Sequence, residues 1–201
     1  MYKLKKFLFG LMRYIYAQIV CLKVYKKEYL TGKDFNGVHH GMFSTGWRWV
    51  VSDYRTCRKM GVNLDTPWPV SARISVVCPD NIVFHPDDLN NFQTFGNYFQ
   101  AIGKITIGRG TYIAPNVGII TANHSLDDLD KHNEAKPITL GECCWIGMNS
   151  VILPGVTLGA HTVVGAGSVV THSFPDGYCV IAGNPAKEIR DTKEILTEKS
   201  I

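Results

Sequence analysis

The chain has 201 residues and a mass of 22.4 kDa, with 45% apolar and 19% charged residues. That composition supports one cored domain with an appendage and excludes general disorder. No apolar run reaches about 18 residues, which excludes a conventional transmembrane helix. The net charge of +4 is unevenly placed: residues 1–30 carry +6 and the remainder −2. The main domain is therefore not a basic nucleic-acid-binding body, and no nucleic-acid partner is expected.

Residues 1–30 read as a basic amphipathic helix. Leu4, Phe7, Leu8, Leu11, Met12, Ile15, Ile19 and Leu22 recur at helical spacing, while Lys3, Lys6 and Arg13 lie on another face. A signal peptide is the competing reading, but Arg13 interrupts the apolar stretch and no A-x-A site follows. The expectation is a helix that packs on the protein or makes peripheral contact with the inner face of a membrane. Residues 31–80 read as irregular and aromatic, with Trp47, Trp49 and Trp68 beside Pro67, Pro69 and Pro79. Six cysteines lack zinc-like CxxC pairing, so all are expected to be reduced thiols of a cytoplasmic protein.

From residue 81 the sequence repeats. Val83, Leu89, Phe95, Ala101, Ile107, Ile113 and Ile119 are six apart and all apolar. The register restarts with Leu140, Ile146, Ile152, Leu158, Val164 and Val170. Gly141, Gly147, Gly159 and Gly165 each follow one of these directly. Period six fits neither a helix nor a two-sided strand. It fits short flat strands separated by corners, with the apolar residue inward and a small residue where the backbone turns. Three such faces make one triangular coil, so the expected fold is an all-β solenoid, a parallel β-helix over 81–185. A sandwich would need this phasing by chance. The two runs are out of register, so a loop is expected at about 121–137. A short C-terminal helix is expected over 186–201.

Five stretches carry a resemblance: ITIGRGTYIAPNV (105–117), TANHSLD (121–127), CWIGMNSVILPGVTLG (144–159), VVGAGSVVT (163–171) and AGNPAKEIR (182–190). Together they resemble the hexapeptide-repeat acyltransferases, which are left-handed β-helices, and among these the galactoside, maltose and streptogramin O-acetyltransferases. The resemblance implies an acetyl-CoA-dependent O-acetyltransferase acting on a sugar hydroxyl, of a cell-surface polysaccharide or its precursor. It implies His124 as the general base, in the loop where the frame breaks. It implies coenzyme contacts at Met148, Ala166 and Thr171, with Lys187 and Arg190 at the phosphates. Methionine at 148, where the family often has serine, leaves only the backbone amide as an oxyanion donor. It further implies a homotrimer with sites shared between subunits.

Asn97 and Gln100 are candidate acceptor contacts. One of Asp127, Asp128 and Asp130 is a candidate for orienting His124; solvated loop charges are the alternative. His132, in the same loop, is placed to approach the acceptor. No metal is expected: the β-helical carbonic anhydrases pair histidines five apart, and residue 129 is Leu129. Rival readings are a small-molecule or antibiotic O-acetyltransferase, an N-acetyltransferase of a nucleotide-linked amino sugar, and a non-catalytic β-helical scaffold.

Overall fold

Leu140, Ile146, Ile152, Leu158, Val164 and Val170 point into one core and are at most 1% exposed. Four residues after the first five come Cys144, Ser150, Val156, Thr162 and Ser168, all buried. Their polar groups secure the corners. The Ser150 and Ser168 hydroxyls both donate to the Gly165 carbonyl, at 3.0 and 2.6 Å, and Thr162 donates to Gly159 at 2.8 Å. A buried hydroxyl is tolerated because it is satisfied there. The glycines allow successive coils to touch. A Cβ on Gly141 would lie 2.6 Å from the Ala160 nitrogen, and one on Gly159 would lie 2.4 Å from the Gly177 nitrogen.

A computed structural model describes residues 2–36 and 41–194. The N-terminal helices are α1 (Tyr2–Lys23), α2 (Lys33–Asn36) and α3 (Thr45–Met60). The strands are β1 (Ser75–Val77), β2 (Ile82–Val83), β3 (Tyr98–Gln100), β4 (Ile105–Ile107), β5 (Tyr112–Ile113), β6 (Gly118–Ile120) and β7 (Ile138–Leu140). They continue as β8 (Trp145–Ile146), β9 (Val151–Ile152), β10 (Thr157–Leu158), β11 (Val163–Val164), β12 (Val169–Val170), β13 (Cys179–Gly183) and β14 (Ala186–Asp191). Three parallel sheets form the coil walls, in the orders β1-β3-β6-β9-β12, β10-β7-β4-β2 and β13-β11-β8-β5. The register Ile113↔Ile146↔Val164↔Ile181 stacks one apolar residue per coil. This is a parallel β-helix.

Four expectations need correction. The coil opens at Ser75, before residue 81, because β1 already pairs with β3. In the first turn the inward residue is Ile82, 2% exposed, while Val83 is 48% exposed; Phe95 is also exposed. A 3-10 stretch over Pro86–Phe92 replaces a flat strand there, so the six-residue frame is not yet set. The region 31–80 is not irregular throughout, since α3 occupies sixteen residues of it. Gly61 ends α3 in the left-handed conformation at φ 69°, donating to Cys57. Finally, 186–191 is a strand rather than the start of a helix. β14 runs antiparallel to β13, buries Ala186 and covers a sheet edge that would otherwise be open. Helical conformation begins only at 193, and 195–201 lie outside the described residues.

The N-terminal zone closes the first coil. Trp68, Phe84, Phe92 and Phe99 form a chain of ring contacts with centroids 4.7–5.1 Å apart. Without such a cap the solenoid core would meet water. α3 is tied to this cap by Asp53, whose Oδ2 accepts from Gln93 Nε2 at 2.9 Å, while Gln93 also donates to Pro69. Burial pushes the Asp53 carboxyl up to about 6, against the lowering effect of Gln93 and Ser52. An unfolded aspartate titrates near about 3.9. The folded state therefore holds the extra proton between about pH 4 and 6, and stability falls as pH rises through that window. Asp53→Asn keeps an acceptor for Gln93 and removes the charge. It should abolish that part of the slope and add about 2–3 kcal/mol at pH 7. Thermal melts of both proteins at pH 4, 5, 6 and 7 check this; parallel curves would refute it.

Candidate active site

The frame break after β6 is a short hairpin. Lys136 N–H donates to Thr121 O, Asn133 N–H to Asn123 O, and Ser125 N–H to Lys131 O, each at 2.8 Å. His124 and His132 face each other across it as an antiparallel bridge, with ring centroids 4.3 Å apart. The stem is fixed to the coil. Thr121 Oγ1 donates to Gln100 O at 2.6 Å, and Gln100 Oε1 accepts from Ala122 N at 3.0 Å.

His124 Nδ1 lies 2.7 Å from the Leu129 carbonyl. A carbonyl only accepts, so Nδ1 carries the proton of the neutral ring and Nε2 keeps its lone pair. The imidazole is exposed. The ring is thus oriented, with no hydrogen-bond partner for Nε2 among the described residues. The orienting group is a backbone carbonyl and not a carboxylate. Asp128 instead pairs with Lys131 at 2.9 Å and caps Asp130, and these contacts hold its carboxyl below the usual range. Asp127 receives its own local bond, from its amide to Ser125 Oγ at 3.3 Å.

Met148 and Ala166 occupy the same corner on successive coils, each two residues past the register pair Ile146↔Val164. Both are exposed. The Met148 carbonyl accepts from Gly167 N at 2.8 Å, whereas its amide meets no acceptor among the described residues. Lys187 and Arg190 sit on β14 opposite Ala182 and Val180, the next coil of the same wall. Both are exposed, and neither forms an ion pair among the described residues. Met148, Ala166, Lys187 and Arg190 therefore run along one side of the helix. Thr171 and His124 lie elsewhere, at the corner that follows the β3-β6-β9-β12 wall. One chain does not enclose all these residues in a single cavity.

The acceptor candidates serve the coil. Asn97 is buried; its Oδ1 accepts from Val117 N at 3.0 Å and its Nδ2 donates to Thr94 at 3.1 Å. Gln100 holds the stem of the His124 hairpin through its side-chain oxygen. Sequence reasoning missed this positioning role, and also Asn91, which bridges to Thr111 and Ile113 in the same way. The signal was the spacing of polar residues among apolar ones at the first coil. His161 and His172 stack on Tyr178 and Phe174. His39 and His40 lie outside the described residues.

Comparison with known proteins supports the fold reading. Residues 137–172 match the model of the bacterial transferase hexapeptide, six repeats. A Saccharomyces cerevisiae protein named "Putative acetyltransferase YJL218W" is 39% identical over 131 residues, 58% of this chain and 66% of that one. The galactoside O-acetyltransferase of Escherichia coli is 43% identical over 93 residues, 45% of either chain. The chain spans about half to just under two thirds of the length of such relatives. Among solved structures, AntD of Bacillus cereus, an N-acyltransferase, superposes with a TM-score of 0.51 at 17% identity over 73% of this chain and 92% of that one. A maltose O-acetyltransferase of Clostridium difficile gives a TM-score of 0.46 at 32% identity over 64% and 63%. The coil is the left-handed parallel β-helix, and residues 137–172 of it are similar to the bacterial transferase hexapeptide repeats.

Proposed function

We propose that this protein is an acetyl-CoA-dependent O-acetyltransferase acting on a sugar hydroxyl, of a polysaccharide or its precursor, in the cytoplasm. The observation that carries the reading is the His124 imidazole, held by Leu129 with Nε2 free. The E. coli relative named for galactoside O-acetylation supports the acceptor class. In this mechanism the acceptor hydroxyl gives its proton to His124 Nε2 while its oxygen attacks the thioester carbonyl. The tetrahedral oxyanion is met by the Met148 amide. Collapse expels the coenzyme thiolate, and the imidazolium returns the proton to it. The pantetheine arm follows Met148, Ala166 and Thr171, and the phosphates meet Lys187 and Arg190.

The exposure of His124 and the separate placement of the coenzyme corner favour a site completed by a second subunit. The outward aromatic pair Tyr112 and Trp145, in register on β5 and β8 and more than half exposed, gives an apolar surface for that contact. On this proposal the assembly is a homotrimer. Light scattering should give three times the 22.4 kDa of one chain. A monomer with full activity would refute the shared site. The chemical test is thiol release from acetyl-CoA across sugars, polysaccharide fragments, aminoglycoside-type hydroxyls and nucleotide-linked amino sugars. Release with a neutral sugar hydroxyl supports the proposal. Release only with an amine, or with none, overturns it.

A further inference from the structure

The exposed face of α1 is built to lie on something the single chain does not supply. α1 packs on α3 and on the Gly41–Phe43 turn, burying Gly10, which faces Phe43, together with Ala17, Val20 and Cys21. Leu4, Leu8, Met12, Ile15, Ile19 and Leu22 lie on the opposite side at helical spacing. Each of these six is about half exposed or more, up to 75% for Leu22. A helix apolar on both faces is ordinarily buried on both. Among the described residues, no helix is long and apolar enough to cross a membrane.

Charge selects the occupant. α1 carries Lys3, Lys5, Lys6, Arg13 and Lys23 and no acid, and the first acid in the chain is Glu28. Lys5 is three residues before Leu8 and Lys23 four after Ile19, so both flank the stripe. Pairing this stripe with its own copy would set like charges along the seam. An anionic surface would neutralise them. A second cluster adds to the field. Lys6, Arg13 and Arg48, with Phe43, line a recess between α1 and α3 that contains no acid. It continues past Phe9 into a cleft that adds Arg55. Arg13 Nε is buried there without an acceptor. Burial, then Arg48, lowers the Arg13 pKa from its ordinary value. Phe9 and Met12, both well exposed, border this cleft and adjoin the stripe.

We infer that α1 lies in the plane of an anionic phospholipid bilayer surface. The apolar stripe enters the acyl boundary, and the flanking Lys5 and Lys23 take the phosphate headgroups, while the Arg13–Arg48 recess on the α3 side adds to the long-range positive field. The transferase coil is thereby held beside the membrane. This inference does not depend on the proposed reaction.

The test uses the full chain and vesicles of phosphatidylglycerol with phosphatidylcholine, or of phosphatidylcholine alone. The protein should sediment with the anionic vesicles at least about ten-fold more tightly, and raised salt should release it. Leu8→Asp with Ile15→Asp should abolish sedimentation without changing the mass by light scattering, since both positions face away from α3. Lys5→Glu with Lys23→Glu should weaken it several-fold while leaving the stripe intact. Wild-type protein that stays in the supernatant at low salt overturns the inference. So does a Leu8→Asp/Ile15→Asp variant that changes oligomeric mass yet still binds vesicles, because the stripe would then be a subunit contact.

Discussion

His124→Ala should lower kcat by about 10²–10⁴-fold, the size expected for loss of a positioned general base. The fold should survive. His124 is exposed, and its ring bonds only the Leu129 carbonyl within its own hairpin. Acetyl-CoA affinity should stay near normal, since four of the five assigned coenzyme contacts, Met148, Ala166, Lys187 and Arg190, lie on another side of the coil. The stack of His124 on His132 makes His132→Ala the matched control, because it removes the ring contact while leaving Nδ1 on Leu129. A smaller loss is expected there. Turnover in His124→Ala above about a tenth of wild type would remove the base assignment.

The same particulars show what the sequence could and could not reveal. From Ile107 onward the inward apolar residue recurs, and from Leu140 a glycine often follows it and a small or β-branched residue comes four later, because each coil stacks on the last. Such local and repeated constraints print themselves on sequence. At the first coil a 3-10 stretch takes the place of a strand, so Val83 and Phe95 kept the spacing yet face outward. α3 was illegible for another reason: its inner face carries Gly46 and Asp53 beside Val50 and Cys57, a weak apolar stripe. Its stop signal, Gly61, was present in the sequence. β14 depends on a partner strand, β13, and residue pattern alone does not encode that pairing. The hairpin position of His124 was legible from the broken frame. Its orienting group was not, because a backbone carbonyl has no letter of its own.

Lys187→Ala with Arg190→Ala should weaken acetyl-CoA binding by roughly 10–100-fold. A charge-assisted hydrogen bond contributes about 1.5–3 kcal/mol, and 1.4 kcal/mol is about ten-fold in affinity. Both side chains are exposed, so the lower end applies to each. The geometry suits a polyanion. The two cations sit three residues apart on an edge strand, and a bulge between Val180 and Ile181 breaks the two-residue alternation between them. Lysine offers a point charge and arginine a fork, which together match phosphates of different reach. Neither is spent on an acid among the described residues. The loss should therefore depend on the phosphates. Acetyl-pantetheine, which has the thioester arm but no phosphates, should react equally with wild type and double variant. Raising salt should shrink the difference for acetyl-CoA and leave acetyl-pantetheine unaffected. Calorimetry with coenzyme A gives the first number and thiol release the second. An unchanged Kd for coenzyme A, or an equal loss with acetyl-pantetheine, would show that β14 carries no phosphate clamp and serves only to cover the edge of β13.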